Sequence, residues 1–97
     1  MAAPGKLTVM IEREEVNRMR WAARRGMLEL DLLLEPFVAA RYALLGEVDR
    51  QGFQQLMRCE DQDLFAWLMQ REAPGDEELA RIVNQILKFA HTPVQDR

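Results

Sequence analysis

Apolar residues recur along most of the chain at the three- and four-residue spacing of amphipathic helices. The repeat is clearest near the C-terminus, where it predicts a helix from about Glu77 to Ala90. Its apolar positions are Leu79, Ile82, Val83, Ile86 and Leu87. Pro93 prevents continuation of this helix. No run alternates apolar and polar residues as a half-buried strand does, so the pattern predicts an all-α fold.

Four further helices are predicted upstream. The first runs from Glu12 to Arg25, with an apolar stripe at Val16, Met19 and Ala23. The second spans Leu28 to Leu45, where Pro36 predicts a kink or two short helices that meet. Its stripe comprises Leu30, Leu33, Leu34, Phe37, Ala40 and Leu44.

The third and fourth helices are predicted from aspartates that could act as N-caps. Asp49 would begin a helix that buries Phe53, Leu56 and Met57. Asp61 would begin a short one that offers Leu64, Phe65, Trp67 and Leu68.

The pattern therefore predicts a compact bundle of about five short helices in a single domain, residues 11–91. Residues 1–10 are expected to form a flexible lead-in and residues 92–97 a tail. One core is expected from Trp67, Phe65, Leu64, Leu30, Leu33, Phe37, Ile82 and Ile86.

Charge is divided unevenly between the two parts of the chain. Residues 1–25 carry six basic and three acidic residues, whereas residues 26–97 carry seven basic and thirteen acidic ones. The formal net charge of −3 argues against a general nucleic-acid binder. The four arginines between Arg18 and Arg25 nevertheless form a cationic patch.

Candidate catalytic chemistry is sparse. One histidine, His91, and one cysteine, Cys59, cannot supply a zinc site of recognised spacing. Glu60 and Asp61 beside Cys59 are expected to raise its pKa rather than activate it. The glycines form neither a GxGxxG nor a phosphate-loop pattern. A binding module is therefore favoured over an enzyme, with no tightly bound cofactor.

The compartment follows from the cysteine count and the composition. A single cysteine permits no intrachain disulfide, which is typical of a reducing compartment. The apolar runs are shorter than the ~20 residues of a membrane span. The start of the chain lacks the features of a targeting peptide. These observations predict a cytoplasmic protein without membrane insertion, which we expect to be a monomer when free.

Trp21 lies nearly opposite the apolar stripe of the first predicted helix, in line with Glu14, Arg18 and Arg25. Two interpretations fit this position. Trp21 could pack at the edge of the bundle beneath arginine stems, or it could be an interface hot spot, for which Trp and Arg are favoured residue types.

The turn after this helix centres on Gly26, which can adopt a positive φ and redirect the chain. Such a turn would bring Arg25 near Glu29 at the start of the next helix. The segment could be a charged corner with a bare centre that a partner approaches, or a simple helical turn with well-placed end charges.

The motif RRGMLELD, residues 24–31, resembles the signature of the succinate dehydrogenase assembly factors, small FAD assembly factors of bacteria and mitochondria. The block DQDLFAWL, residues 61–68, resembles a second family motif. The resemblance extends from about Glu12 to Ala90, and without a transit peptide the bacterial branch fits better.

This resemblance implies a compact five-helix protein whose partner is the flavoprotein subunit of succinate dehydrogenase or fumarate reductase. The protein would promote covalent FAD attachment to that subunit, so FAD would be the partner's cofactor. The implied contact residues are Arg25, Gly26, Glu29, Arg24, Trp21 and Asp31, with Arg18 in the adjacent cationic patch. A generic helical adaptor and an antitoxin-type regulator remain alternatives from the residues alone.

Overall fold

A computed structural model describes residues 4–96 of the chain, with side chains for 13–93, 95 and 96. Its helices are α1 (Pro4–Ala22), α2 (Leu28–Arg41), α3 (Glu47–Leu56), α4 (Asp61–Leu68) and α5 (Glu77–His91). Two 3-10 turns, Tyr42–Leu44 and Val94–Asp96, complete it. No strand occurs among the described residues, and the predicted all-α fold of five helices is confirmed.

Helix α1 differs from the prediction at both ends. It begins at Pro4 rather than Glu12, so residues 4–10 of the predicted lead-in are helical, while residues 1–3 lie outside the described part. Proline suits the first position of a helix because the backbone N–H of a residue there would make no hydrogen bond within the helix, so its absence costs nothing. The helix ends at Ala22, so Arg24 and Arg25 lie in the connection to α2 and not in a last helical turn.

Helix α2 continues through Pro36, so of the two predicted alternatives, a kink or two short helices that meet, the second is wrong. Pro36 has no N–H to donate to the carbonyl of Leu32. Leu32 is exposed, so water can satisfy that carbonyl and the helix can continue. The 3-10 turn at Tyr42–Leu44 then ends the segment.

The starts of α3, α4 and α5 are set by different groups. Helix α3 begins at Glu47, and its N-cap Gly46 lies three residues before the predicted cap Asp49. Helix α4 begins at Asp61, but Glu60 holds the N-cap position, so Asp61 is not the cap. The predicted start of α5 at Glu77 is confirmed, because the Asp76 carboxylate accepts a hydrogen bond from the Leu79 N–H at 3.0 Å.

The core lies between α5 and the helices that pack on it, α3, α2 and α4, while α1 packs on α2. Three aromatic rings meet at its centre: Phe37 stacks on Phe53 at 5.8 Å and meets the edge of Phe89 at the same distance. Of the eight predicted core residues, five are fully buried and three, Leu33, Phe65 and Trp67, are half-buried against the core.

The predicted stripe of α2 is wrong at its C-terminal end. Ala40 and Leu44 are exposed, and Val38 and Tyr42 are buried in their place. The 3-10 turn at Tyr42–Leu44 has a tighter winding than an α-helix, so the α-helical spacing no longer identifies the buried positions there. Tyr42 therefore enters the core, and Leu44 faces solvent.

Candidate functional site

The connection between α1 and α2 is a five-residue segment, 23–27, with a positive φ of 80° at Gly26. The predicted positive φ is thus confirmed. A Cβ at Gly26 would meet no atom within 4 Å, so the glycine is required by backbone conformation and leaves open space outside it.

Arg25 points into the molecule from this segment. Its Nε donates to Asp61 Oδ1 at 2.7 Å. Its two terminal nitrogens donate to three carbonyls: Nη1 to those of Ala22 and Met57, and Nη2 to that of Cys59. The side chain is only 15% exposed. Arg25 therefore joins the end of α1 to the connection between α3 and α4.

This geometry corrects the predicted corner. Arg25 pairs with Asp61 instead of Glu29, so a residue that the family resemblance implied as a partner contact is held within the molecule. Glu29 is exposed and makes no ion pair with any described residue. Asp31 also acts within the molecule, because its carboxylate accepts the backbone N–H of Arg25 at 2.8 Å.

The residues that face solvent around the turn form a continuous surface, which we call the turn face. Its members are Trp21, Arg24, Gly26, Leu28, Glu29 and Leu32. Trp21 is 72% exposed, and the Arg24 guanidinium lies over its ring, at 5.3 Å from the centroid. This is the arginine contact expected if Trp21 packs at the bundle edge, while most of the side chain stays accessible, as the interface interpretation requires.

Two leucines of the turn face were missed in the sequence. Leu28 and Leu32 are 68% and 65% exposed and lie one helical turn apart on α2. Their signal was present, because both positions fall off the stripe that the buried leucines define. Arg18 is exposed on α1 and flanks Trp21. Exposed tryptophan and leucine beside arginine are typical of a protein-binding surface.

Cys59 is half-buried, and its carbonyl accepts a hydrogen bond from Arg25 Nη2. Burial raises the pKa of its thiol, and the charge of Asp63 raises it further, while Arg25 opposes the shift. The predicted direction is confirmed, but the principal cause is burial and the acidic neighbour is Asp63, not Glu60 or Asp61. The thiol is therefore poorly suited to act as a nucleophile.

Comparison with known proteins places the chain in a family. Residues 17–90, about three-quarters of the chain, match the family model described as "Flavinator of succinate dehydrogenase". This chain belongs to that family. The matched range contains all of the turn face, Arg25 and both of the motifs noted in the sequence.

Relatives of the flavinator family cover most of the chain. FAD assembly factor SdhE of Pseudomonas syringae pv. syringae is 54% identical over 78 residues, 80% of this chain and 93% of the relative. The protein of the same name from Shewanella oneidensis is 50% identical over 76 residues, 78% of this chain and 93% of the relative. That from Yersinia pseudotuberculosis is 42% identical over 76 residues, 78% and 86% of the two chains.

Two further features of the described residues bear on function. No group of three His, Cys, Asp or Glu side chains is placed to hold a metal ion. None of the helices in this part of the chain is both long enough and apolar enough to cross a membrane.

Proposed function

We propose that this protein binds the flavoprotein subunit of succinate dehydrogenase or fumarate reductase and promotes covalent attachment of FAD to it. The observation that carries the proposal is the turn face, an exposed apolar and charged surface on a member of the flavinator family. We expect the protein to act in the cytoplasm, where its single thiol stays reduced.

The protein's role in this proposal is that of a binding partner and not of an enzyme. Flavins carry their own bond-forming chemistry, and the acceptor side chain belongs to the flavoprotein subunit. A protein that binds one conformer of that subunit more tightly than another raises the population of the preferred conformer. The ratio of the two affinities limits the size of this shift. The turn face would select the conformer in which flavin and acceptor are correctly placed.

The inward position of Arg25 divides the motif into two kinds of residue. Arg25 and Asp31 hold the turn, whereas Gly26 and Glu29 lie on its outer side. Gly26 lets the partner's backbone approach closely because it has no side chain. Glu29 offers a carboxylate that no described residue neutralises. These two residues, with Trp21 and Arg24, are the proposed direct contacts.

The test compares two substitutions at Gly26. Alanine and arginine suffer the same positive-φ strain, about 1 kcal/mol, and both Cβ atoms enter open space. Their free energies of unfolding should therefore be similar. Only arginine projects into the space of the docked partner, so Gly26→Arg should abolish binding while Gly26→Ala retains most of it.

The measurement is covalent flavin fluorescence of the flavoprotein subunit on a denaturing gel, from cells in which each variant replaces the normal protein. Glu29→Ala should weaken partner binding by about 2 kcal/mol if Glu29 is a hot spot. Wild-type flavinylation and binding by a folded Gly26→Arg variant would show that the turn is structural only. A pull-down from extract identifies which flavoprotein subunit is served.

A further inference from the structure

A groove of about 450 Å³ lies between α1 and α2. Two residues of the turn face, Trp21 and Arg24, line it, whereas Gly26 and Glu29 do not. Its apolar lining comes from the ring of Trp21 and from Pro36 and Ala39 on α2. Leu32 lies one helical turn before Pro36, so apolar surface continues from the groove to the turn face. A concave surface of this kind suits a protruding apolar side chain.

The groove also carries cations on its α1 side. Arg20 and Arg24 both line it, and Arg20 makes no ion pair with any described residue. Arg24 is held only loosely, because its Nε lies 3.9 Å from Glu35 Oε1 and both side chains are substantially exposed. Such surface pairs contribute little and are easily exchanged for another carboxylate.

We propose that this groove receives a segment of the flavoprotein subunit that presents an apolar side chain with a carboxylate beside it. The proposal rests on the proposed function and adds a second point of attachment. The apolar side chain would lie against Trp21, Pro36 and Ala39. The carboxylate of the partner segment would replace Glu35 as the ion-pair partner of Arg24 and would also lie close to Arg20.

A second copy of this chain is a poor occupant. A two-fold dimer through this surface would place the same arginines opposite one another, and such like charges repel. An anionic lipid surface matches the arginines but is flat, whereas the apolar residues here line a concavity. Charge and shape together therefore favour an acidic, apolar protein segment.

The test uses the full-length protein and the purified flavoprotein subunit, with the dissociation constant measured by titration calorimetry. Ala39→Trp fills the groove from an exposed helical position that takes no part in the core or the turn. It should raise the dissociation constant at least about tenfold. The matched control is Asn84→Trp, an exposed position on α5, which should change it less than about twofold.

A second variant tests the carboxylate. Glu35→Gln removes the residue that competes for Arg24, so binding should tighten about two- to fivefold. This expected gain does not depend on whether Ala39→Trp folds as well as the wild type. Weaker binding by Glu35→Gln would overturn the exchange of carboxylates.

The outcomes separate this inference from the function on which it rests. If Ala39→Trp binds normally while Gly26→Arg does not, the groove is not a docking site, whereas the surface around Gly26 still is. If Gly26→Arg also binds normally, the proposed docking function itself fails. Sedimentation of the wild-type protein with phosphatidylglycerol vesicles, lost in Trp21→Ala, would assign the groove to lipid and overturn the proposal.

Discussion

At the scale of single residues, the two neighbours Arg24 and Arg25 have opposite surroundings. Arg24 is exposed over Trp21, whereas Arg25 is nearly enclosed and makes four side-chain hydrogen bonds. Three of these reach residues 32 to 36 positions away. The family motif thus contains one arginine for the surface and one for the structure.

Arg25→Ala should therefore destabilise the fold, contrary to what an exposed arginine at a helix end would do. Three carbonyls and a carboxylate would lose a charged hydrogen-bond donor, and we expect the free energy of unfolding to fall by about 2–4 kcal/mol. Lysine should restore little of it, because an ammonium cannot reproduce the planar fork of guanidinium. Urea unfolding measures the cost.

The matched control is Arg24→Ala, which should cost less than about 0.5 kcal/mol because that side chain makes only exposed contacts. Equal stability of the two alanine variants would contradict the structural role of Arg25. Partner binding is then compared at temperatures where both variants remain folded.

The sequence could reveal only part of this site. The role of Gly26 could be predicted because a glycine directly after a helical segment is itself the sequence signal for a positive φ. Trp21 stood out because it lies off the buried stripe of its own helix. The hydrogen-bond partners of Arg25 could not be predicted. Asp61 and the carbonyls of Met57 and Cys59 are distant in sequence, and only the packing of the helices brings them close to Arg25.

At the scale of helices, boundaries were predictable where one local group sets them. Asp76 caps α5 through a hydrogen bond within one turn, and the start of that helix was predicted correctly. Helix α3 begins at Glu47, and its start was missed because its N-cap, Gly46, has no side chain that could mark it. The continuation of α2 through Pro36 was not predicted, because the sequence pattern does not show whether water can reach the carbonyl that Pro36 leaves without a donor.

A polar cluster joins α1 to α3 through the 3-10 turn. The Tyr42 hydroxyl donates to Glu15 Oε2 at 2.6 Å and accepts from Gln54 Nε2 at 2.8 Å. Arg50 Nε lies 3.3 Å from the same Glu15 oxygen. Burial raises the pKa of Tyr42 from 10.0 to about 12, and the neighbouring Glu15 adds to the shift.

Stability should therefore fall as pH rises from 10 towards 12. In this window the unfolded chain releases the tyrosine proton while the folded protein retains it, so unfolding is favoured. Below pH 10 the tyrosine is neutral in both states, and its contribution is complete. Urea unfolding of the wild type and Tyr42→Phe across this range isolates the effect, because the other titrating groups are common to both proteins.

The expected result is a stability advantage of wild type over Tyr42→Phe that is constant up to pH 10 and shrinks above it. An advantage that stays constant to pH 12 would mean that the hydroxyl titrates normally in the folded protein. The cluster ties Glu15 of α1 to the 3-10 turn and to α3, and Trp21 lies further along the same helix.

At the scale of the whole molecule, the all-α fold class could be predicted from the sequence. The period of the apolar residues and the length of each periodic segment identify a helix more reliably than they identify where it begins and ends. The distribution of charge is also a whole-chain property. The cationic patch noted in residues 18–25 lies along α1 and the connection, while the remainder of the chain is acidic. Association with an acidic partner surface should therefore be slowed by salt.

The free protein is expected not to retain FAD, although the family serves a flavoprotein. The sequence has no glycine-rich loop before a helix to hold a pyrophosphate. The Trp21 groove lies on the surface, and Trp21 itself is 72% exposed, so a flavin stacked there would remain largely hydrated. Tight cofactor binding normally requires burial of most of the ligand.

Titration calorimetry of FAD into the isolated protein tests this expectation, with Trp21→Ala as the matched variant. We expect a dissociation constant above the micromolar range, and equal weak heats for both proteins. A sub-micromolar constant that is lost in Trp21→Ala would mean that the protein carries FAD to its partner on this groove. In that case the groove would be shared between cofactor and partner, and flavin delivery would have to precede docking.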